Sequence, residues 1–152
     1  MEQKNLQEEK LLNLLKNTYE NYSADFIKDV LSEDMTYDNT WVLSQITSKQ
    51  EYLDYIIPKL QVMKEKNTAF NFLMVYQEGQ GRPHLIFTPK NQGAFGCFTI
   101  EEEGGLIKAI HLEPANFYLP LGYKDKSAFD KFVRHGNLIE EDVIKSLSNW
   151  GQ

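Results

Sequence analysis

Two groups of side chains in this sequence could do chemistry. His111 and Glu113 stand two apart in LIKAIHLE, so on a strand both would point to one face, and the carboxylate could orient the imidazole as an acid–base pair. Pro114 follows at once, and the same spacing also suits the solvated end of a strand. The second group is aromatic. Tyr37 and Trp41, set against Tyr52, Ile56, Phe72 and Phe87, would wall a pocket for a flat or hydrophobic small ligand, or would simply fill a core. His84 follows Pro83 at a turn and reads as a surface residue. The 3 histidines lie far apart and Cys97 is the 1 cysteine, so neither a disulfide nor a metal cage is expected, and no cofactor is. The sequence has no phosphate-cradling glycine loop, no G-x-S-x-G elbow and no dinucleotide fingerprint.

The elements that would hold these groups change period along the chain. Leu6, Leu11, Leu14, Leu15, Tyr19 and Tyr22 recur at three- and four-residue steps, which predicts a helix over about 3–20. Ser23 caps a short second helix, about 24–31, with Phe26, Ile27 and Val30 turned inward and the acidic pair Glu33 and Asp34 at its end. Met35–Thr47 is rich in β-branched and aromatic residues around Asp38-Asn39, which predicts two short strands about an Asx-type turn. Ser48 with Glu51 forms a capping box that opens a third helix, whose apolar face is Tyr52, Leu53, Ile56, Ile57, Leu60 and Met63. Pro58 should kink or break it.

Beyond Asn67 the period becomes 2. Phe70, Phe72, Met74 and Tyr76 share one face of a strand, and Asn71, Leu73 and Val75 share the other, so both faces should be covered. HLIFT, AFGCFTIE and LIKAIHLE follow, separated by GQGRP, NQG and the turn at Glu102–Gly105, and complete a four-stranded antiparallel meander. Two short C-terminal helices are expected after Pro114. Ser127 caps the first, His135 and Gly136 close it, and the second carries Val143, Ile144, Leu147 and Trp150 on one side. Residues 1–119 thus read as one α+β domain, with 120–152 as a helical extension of it.

Size and charge narrow the function classes. A chain of 152 residues is long enough to bury roughly 70% of its unfolded surface in a single core. The net charge is −6 and the bases are scattered singly, so nucleic acid and anionic membranes are not expected partners. No stretch approaches the length of a membrane span. The charged start MEQKNLQEEKLL is unlike a secretory signal, which points to a cytoplasmic location.

The segments FIKDVLSEDMTYDNTWVLSQITSKQEYLDYIIPKL and EEEGGLIKAIHLE together resemble the SnoaL-like branch of the nuclear-transport-factor-2-like superfamily, over about residues 5–115. The resemblance implies a cystatin-like conical half-barrel, in which the N-terminal helices pack in the concave face of a strongly bent, mainly antiparallel sheet. It also implies a ligand pocket at the open end and a homodimer through the outer sheet face. Steroid isomerases of that superfamily carry a general-base carboxylate in the segment matching SEDMTYDNTW. Aligning Glu33 and Asp34 puts Asn39 at that position, and Asp38 would serve only if the strand slipped by one residue, which turns a side chain to the opposite face. The matching sheet strand reads Gly96, Cys97 and Phe98, without the acid those enzymes use, while Tyr19 and Tyr22 could supply a phenol.

Three readings follow. The preferred one is a small-molecule-binding domain without established catalysis, taking an apolar or aromatic ligand. The second is an isomerase, cyclase or dehydratase working through Asp38 or His111. The third is an interaction module for a basic protein partner.

Overall fold

Helix α1 (Glu2–Asn21) forms where the three- and four-residue apolar period is strongest, and it buries Leu11, Leu12, Leu15 and Tyr19. The computed structural model describes residues 2–39, 42–76, 82–89 and 96–114. After α1 come two 3₁₀ turns, Ala24–Phe26 and Lys28–Val30, then β1 (Leu31–Asn39), β2 (Val42–Ile46), α2 (Lys49–Glu65), β3 (Phe70–Tyr76), β4 (Pro83–Pro89), β5 (Gly96–Glu103) and β6 (Leu106–Pro114). Among the described residues no helix is long and apolar enough to cross a membrane.

Local chemistry sets the boundaries of the helices. Ser48 Oγ accepts from Glu51 N at 3.1 Å and starts α2, and Ser23 Oγ accepts from Asp25 N at 3.2 Å and starts the first 3₁₀ turn. Both long helices end on a residue in the left-handed region, Tyr22 (φ 53°) and Asn67 (φ 53°). There the next amide reaches back to close the last turn, Ser23 N to Thr18 O at 3.1 Å and Thr68 N to Met63 O at 2.9 Å. Tyr22 also donates its hydroxyl to the Thr68 carbonyl, which ties the two helix ends together.

The six described strands form one mixed sheet in the order β2-β1-β6-β5-β4-β3. β3 to β6 make the antiparallel meander expected from the sequence. The turn from β5 to β6 is made by Gly104 (φ 63°) and Gly105 (φ 82°), two positive-φ positions in a two-residue hairpin loop. β1 joins the other edge of β6 in parallel, with Tyr37 opposite Ile110, Asp38 opposite His111 and Asn39 opposite Leu112. α1 packs on β3, β4 and β5, and α2 on β1. The core lies between these helices and the sheet, and it includes Met35, Tyr37, Tyr52, Ile56, Leu60, Phe98, Ile100, Ile110 and Leu112. The fold is therefore α+β, with helices on one face of an unclosed sheet.

Several expectations are corrected. The short second helix is two 3₁₀ turns, and Phe26 is exposed while Ile27 is fully buried, because a three-residue turn aims its side chains differently from an α-helix. The acidic pair Glu33 and Asp34 lies inside β1 and does not end a helix. α2 runs unbroken through Pro58, and Ile57 beside it faces solvent. His84 is buried, because it lies in β4 and not at a turn. Trp41, the turn residues Gly79–Gly81 and Asn91–Gly93, and the two C-terminal helices fall outside the described residues.

Candidate functional site

The alternation of β1 divides the candidate residues between the two faces of the sheet. Met35, Tyr37 and Asn39 point inward to the helices, whereas Asp38 lies on the outer face together with His111 of β6. The pairing of β1 is irregular on both sides, shifting between Tyr37 and Asn39 against β2 and between Leu31 and Thr36 against β6. Asn39, at 9% exposure, holds the inner position that the resemblance matches to a general base, and an amide cannot accept a proton there at ordinary pH.

The inner group is a cluster of phenols. Tyr37 of β1 and Tyr52 and Tyr55 of α2 have ring centroids 5.3, 5.4 and 6.5 Å apart. α2 brings Tyr52 and Tyr55 to one side because they are three residues apart. Asn39 Nδ2 donates to the Tyr37 hydroxyl at 3.4 Å, and Lys59 Nζ donates to the Tyr55 hydroxyl at 2.8 Å. Tyr52 Oη is buried and has no hydrogen-bond partner. Tyr19 of α1 joins from the other side, with its ring stacked 6.4 Å from Phe87 and tilted 5.5 Å from Phe98.

Burial is the main cause that pushes Tyr19, Tyr37 and Tyr52 well above the usual phenol range, and the neighbouring phenols add to it. These hydroxyls stay protonated. The inner face thus offers neutral donors, O–H and N–H, to an oxygen acceptor.

The outer group is ionic. His111 Nδ1 lies 2.7 Å from Asp38 Oδ2, and Nε2 lies 3.2 Å from Glu101 Oε2 of β5. All three side chains are partly exposed, and Lys108 beside them pairs with Asp34 across the same two strands. Both ring nitrogens thus meet carboxylate oxygens, one on each side of the ring. His111 therefore takes Asp38 and Glu101 as partners, and Glu113, its expected partner, is not one of them. Neighbouring strands and not the same strand supply the carboxylates. Among the described residues no cluster of His, Cys, Asp and Glu is arranged to hold a metal ion.

The sequence-predicted wall is brought together in part. Tyr37, Tyr52 and Ile56 meet in the core, and Phe72 lies 6.2 Å from Phe87 in a second aromatic group that Tyr19 adjoins. Sequence reasoning missed Tyr55, which its three-residue spacing from Tyr52 could have signalled. It also missed Glu101, which only the pairing of β5 with β6 brings to His111.

No family model and no curated protein matches this sequence. Solved structures do match. A protein of unknown function from Mesorhizobium loti described as NTF2-like has a TM-score of 0.58 at 10% identity, covering 73% of this chain and 93% of that one. A SnoaL-like protein of unknown function from Burkholderia thailandensis also has a TM-score of 0.58, at 8% identity, covering 72% of this chain and 95% of the other. A steroid delta-isomerase from Pseudomonas aeruginosa has a TM-score of 0.55 at 11% identity, covering 94% and 93%. The helices laid on one face of a mixed, open six-stranded sheet are thus the NTF2-like α+β cone, the fold that this chain shares with SnoaL-like proteins.

Proposed function

We propose that this chain binds a small, largely apolar or aromatic molecule on the inner side of the sheet, and that it does so without proton abstraction. The observation that carries the reading is the Tyr52 hydroxyl, buried without a partner beside Tyr37, Asn39 and Tyr55. A buried polar group left unpaired costs about 1–3 kcal/mol, and an oxygen acceptor on a ligand would remove that cost. The ring faces of Tyr19, Phe72 and Phe87 supply the apolar remainder of such a site. A panel of flat ketones and phenols, screened by ligand-observed NMR, tests this reading. At least one probe should bind, and Tyr52→Phe should weaken it about tenfold, the worth of one hydrogen bond. Absence of binding across the panel, or equal binding by Tyr52→Phe, would refute it.

A second reading rests on the outer group. The Asp38–His111 contact at 2.7 Å gives an acid–base pair, with Glu101 on the other ring nitrogen. An isomerase, cyclase or dehydratase using it would work at the outer face of the sheet, and Asp38→Asn would abolish turnover while leaving ligand binding at the phenols intact.

A further inference from the structure

The phenol cluster has a dry end and a wet end. Tyr52 and Tyr37 are buried, at 0% and 3% exposure, whereas Tyr55 and Lys59 further along α2 are partly exposed. Tyr52, Tyr55 and Lys59 follow one another at steps of three and four residues, so one face of α2 carries a line from the unpartnered Tyr52 hydroxyl out to an ammonium. Lys59 Nζ donates to Tyr55 Oη at 2.8 Å. The ammonium thus occupies the acceptor side of that phenol and leaves the Tyr55 O–H to be donated elsewhere.

Lys59 stands apart from other cations by what it meets. Lys16, Lys28, Lys49, Arg82 and Lys108 each pair with a carboxylate, and Lys10, Lys64 and Lys66 are exposed to water. Lys59 is partly withdrawn from water, and its polar partner among the described residues is a phenol. The sequence dictates this, because the positions three and four away along α2 are Tyr55, Ile56, Val62 and Met63, none of them acidic. In a chain of net charge −6, an ammonium held beside phenols without a carboxylate is a place where an anion gains, while the rest of the surface repels it. Granted the inner ligand site proposed above, on which the inference rests, we infer that its ligand is an aromatic carboxylate. The carboxylate takes N–H from Lys59 and O–H from Tyr55 at the partly exposed end. The ring runs inward beside Tyr37, and a second oxygen accepts from the Tyr52 hydroxyl at the dry end.

A hydroxynaphthoic acid and its methyl ester share a ring and a phenol oxygen and differ in charge at neutral pH, so their affinities for the full-length protein, titrated by ligand-observed NMR, test this. The acid should bind about fivefold more tightly than the ester, the worth of one partly exposed ion pair. Lys59→Met keeps the aliphatic stem and should bring that ratio close to one, and Lys59→Arg keeps the charge and should preserve it. Should Lys59→Met fail to show a thermal transition, Lys59→Gln gives the same readout. Tyr52→Phe should weaken acid and ester alike and leave their ratio unchanged. Equal binding of acid and ester by the unaltered protein, or a ratio that survives Lys59→Met, would overturn the proposal. Ester binding that depends on Tyr52, without preference for the acid, removes the carboxylate and leaves the phenol site standing. If neither compound binds, the carboxylate is refuted, and the panel of ketones and phenols decides the phenol site separately.

Discussion

At the scale of residues, Tyr52 and Tyr22 make opposite predictions from the same substitution. The Tyr52 hydroxyl is buried without a partner, whereas the Tyr22 hydroxyl donates to the Thr68 carbonyl. Tyr52→Phe should leave the ligand-free protein as stable as before or raise its stability by up to about 1 kcal/mol, because only a desolvated group is removed. Tyr22→Phe should lower it by about 0.5–1.5 kcal/mol, because a bond is lost. Urea unfolding of the two variants, with equal slopes, decides the comparison. A Tyr52→Phe loss as large as that of Tyr22→Phe would show that the hydroxyl is satisfied in solution. The spacing of Tyr52 and Tyr55 was legible in the sequence. The lack of a partner was not, because it depends on what β1 brings opposite them.

At the scale of elements, the close approach of β4 and β5 depends on Gly96. A Cβ built there would stand 2.8 Å from Phe87 Cε1 and 3.2 Å from Leu112 Cδ1. The Phe87 ring is already stacked at 4.8 Å on Phe98, so it has little room to move. Gly96→Ala should therefore cost about 1–3 kcal/mol, the usual range for overpacking, measured as a fall in the urea midpoint. Coupling between β1 and β6 through Asp38 and His111 should be weak by comparison. Both side chains are partly exposed, and a double-mutant cycle with Asp38→Asn and His111→Gln should return a stability coupling of about 0–1 kcal/mol. A coupling well beyond that range would mean that the outer group organises the sheet and does more than decorate it.

At the scale of the whole molecule, pH should act through His84. Burial, the largest cause, together with the nearby Arg82 guanidinium holds its imidazole down to about 4, against a partly offsetting hydrogen bond to the Arg82 carbonyl. The unfolded chain binds a proton here near pH 6.5, so between about 6.5 and 4 it holds more protons than the native state. Stability should then fall as pH is lowered through that window, by at most about 3 kcal/mol. Thermal unfolding at several pH values checks this, and His84→Gln should flatten the slope there. Asp34 is separable by its window. Hydrogen bonds from Lys108 and Ser32 lower its carboxyl to about 2, so its contribution is present above the usual carboxylate value and disappears only in stronger acid.

Local chemistry in the sequence determined where the elements begin and turn. The Ser48 cap and the change of period after Asn67 depend on residues within a few positions of one another and are found as read, while Ser23 caps a 3₁₀ turn in place of the expected helix and the last hairpin turn narrows to Gly104-Gly105. The α+β order and the meander follow from them. Only the tertiary structure decided which face of β1 is the inside, because strand alternation fixes that Asp38 and Asn39 diverge but not which of them meets the helices. The parallel docking of β1 on β6 settles it, sending Asn39 toward the phenols and Asp38 to His111. Glu101 reaches the same imidazole through a third strand, and no spacing along the chain encodes that meeting, because strand pairing joins residues by hydrogen-bond register and not by their distance in sequence.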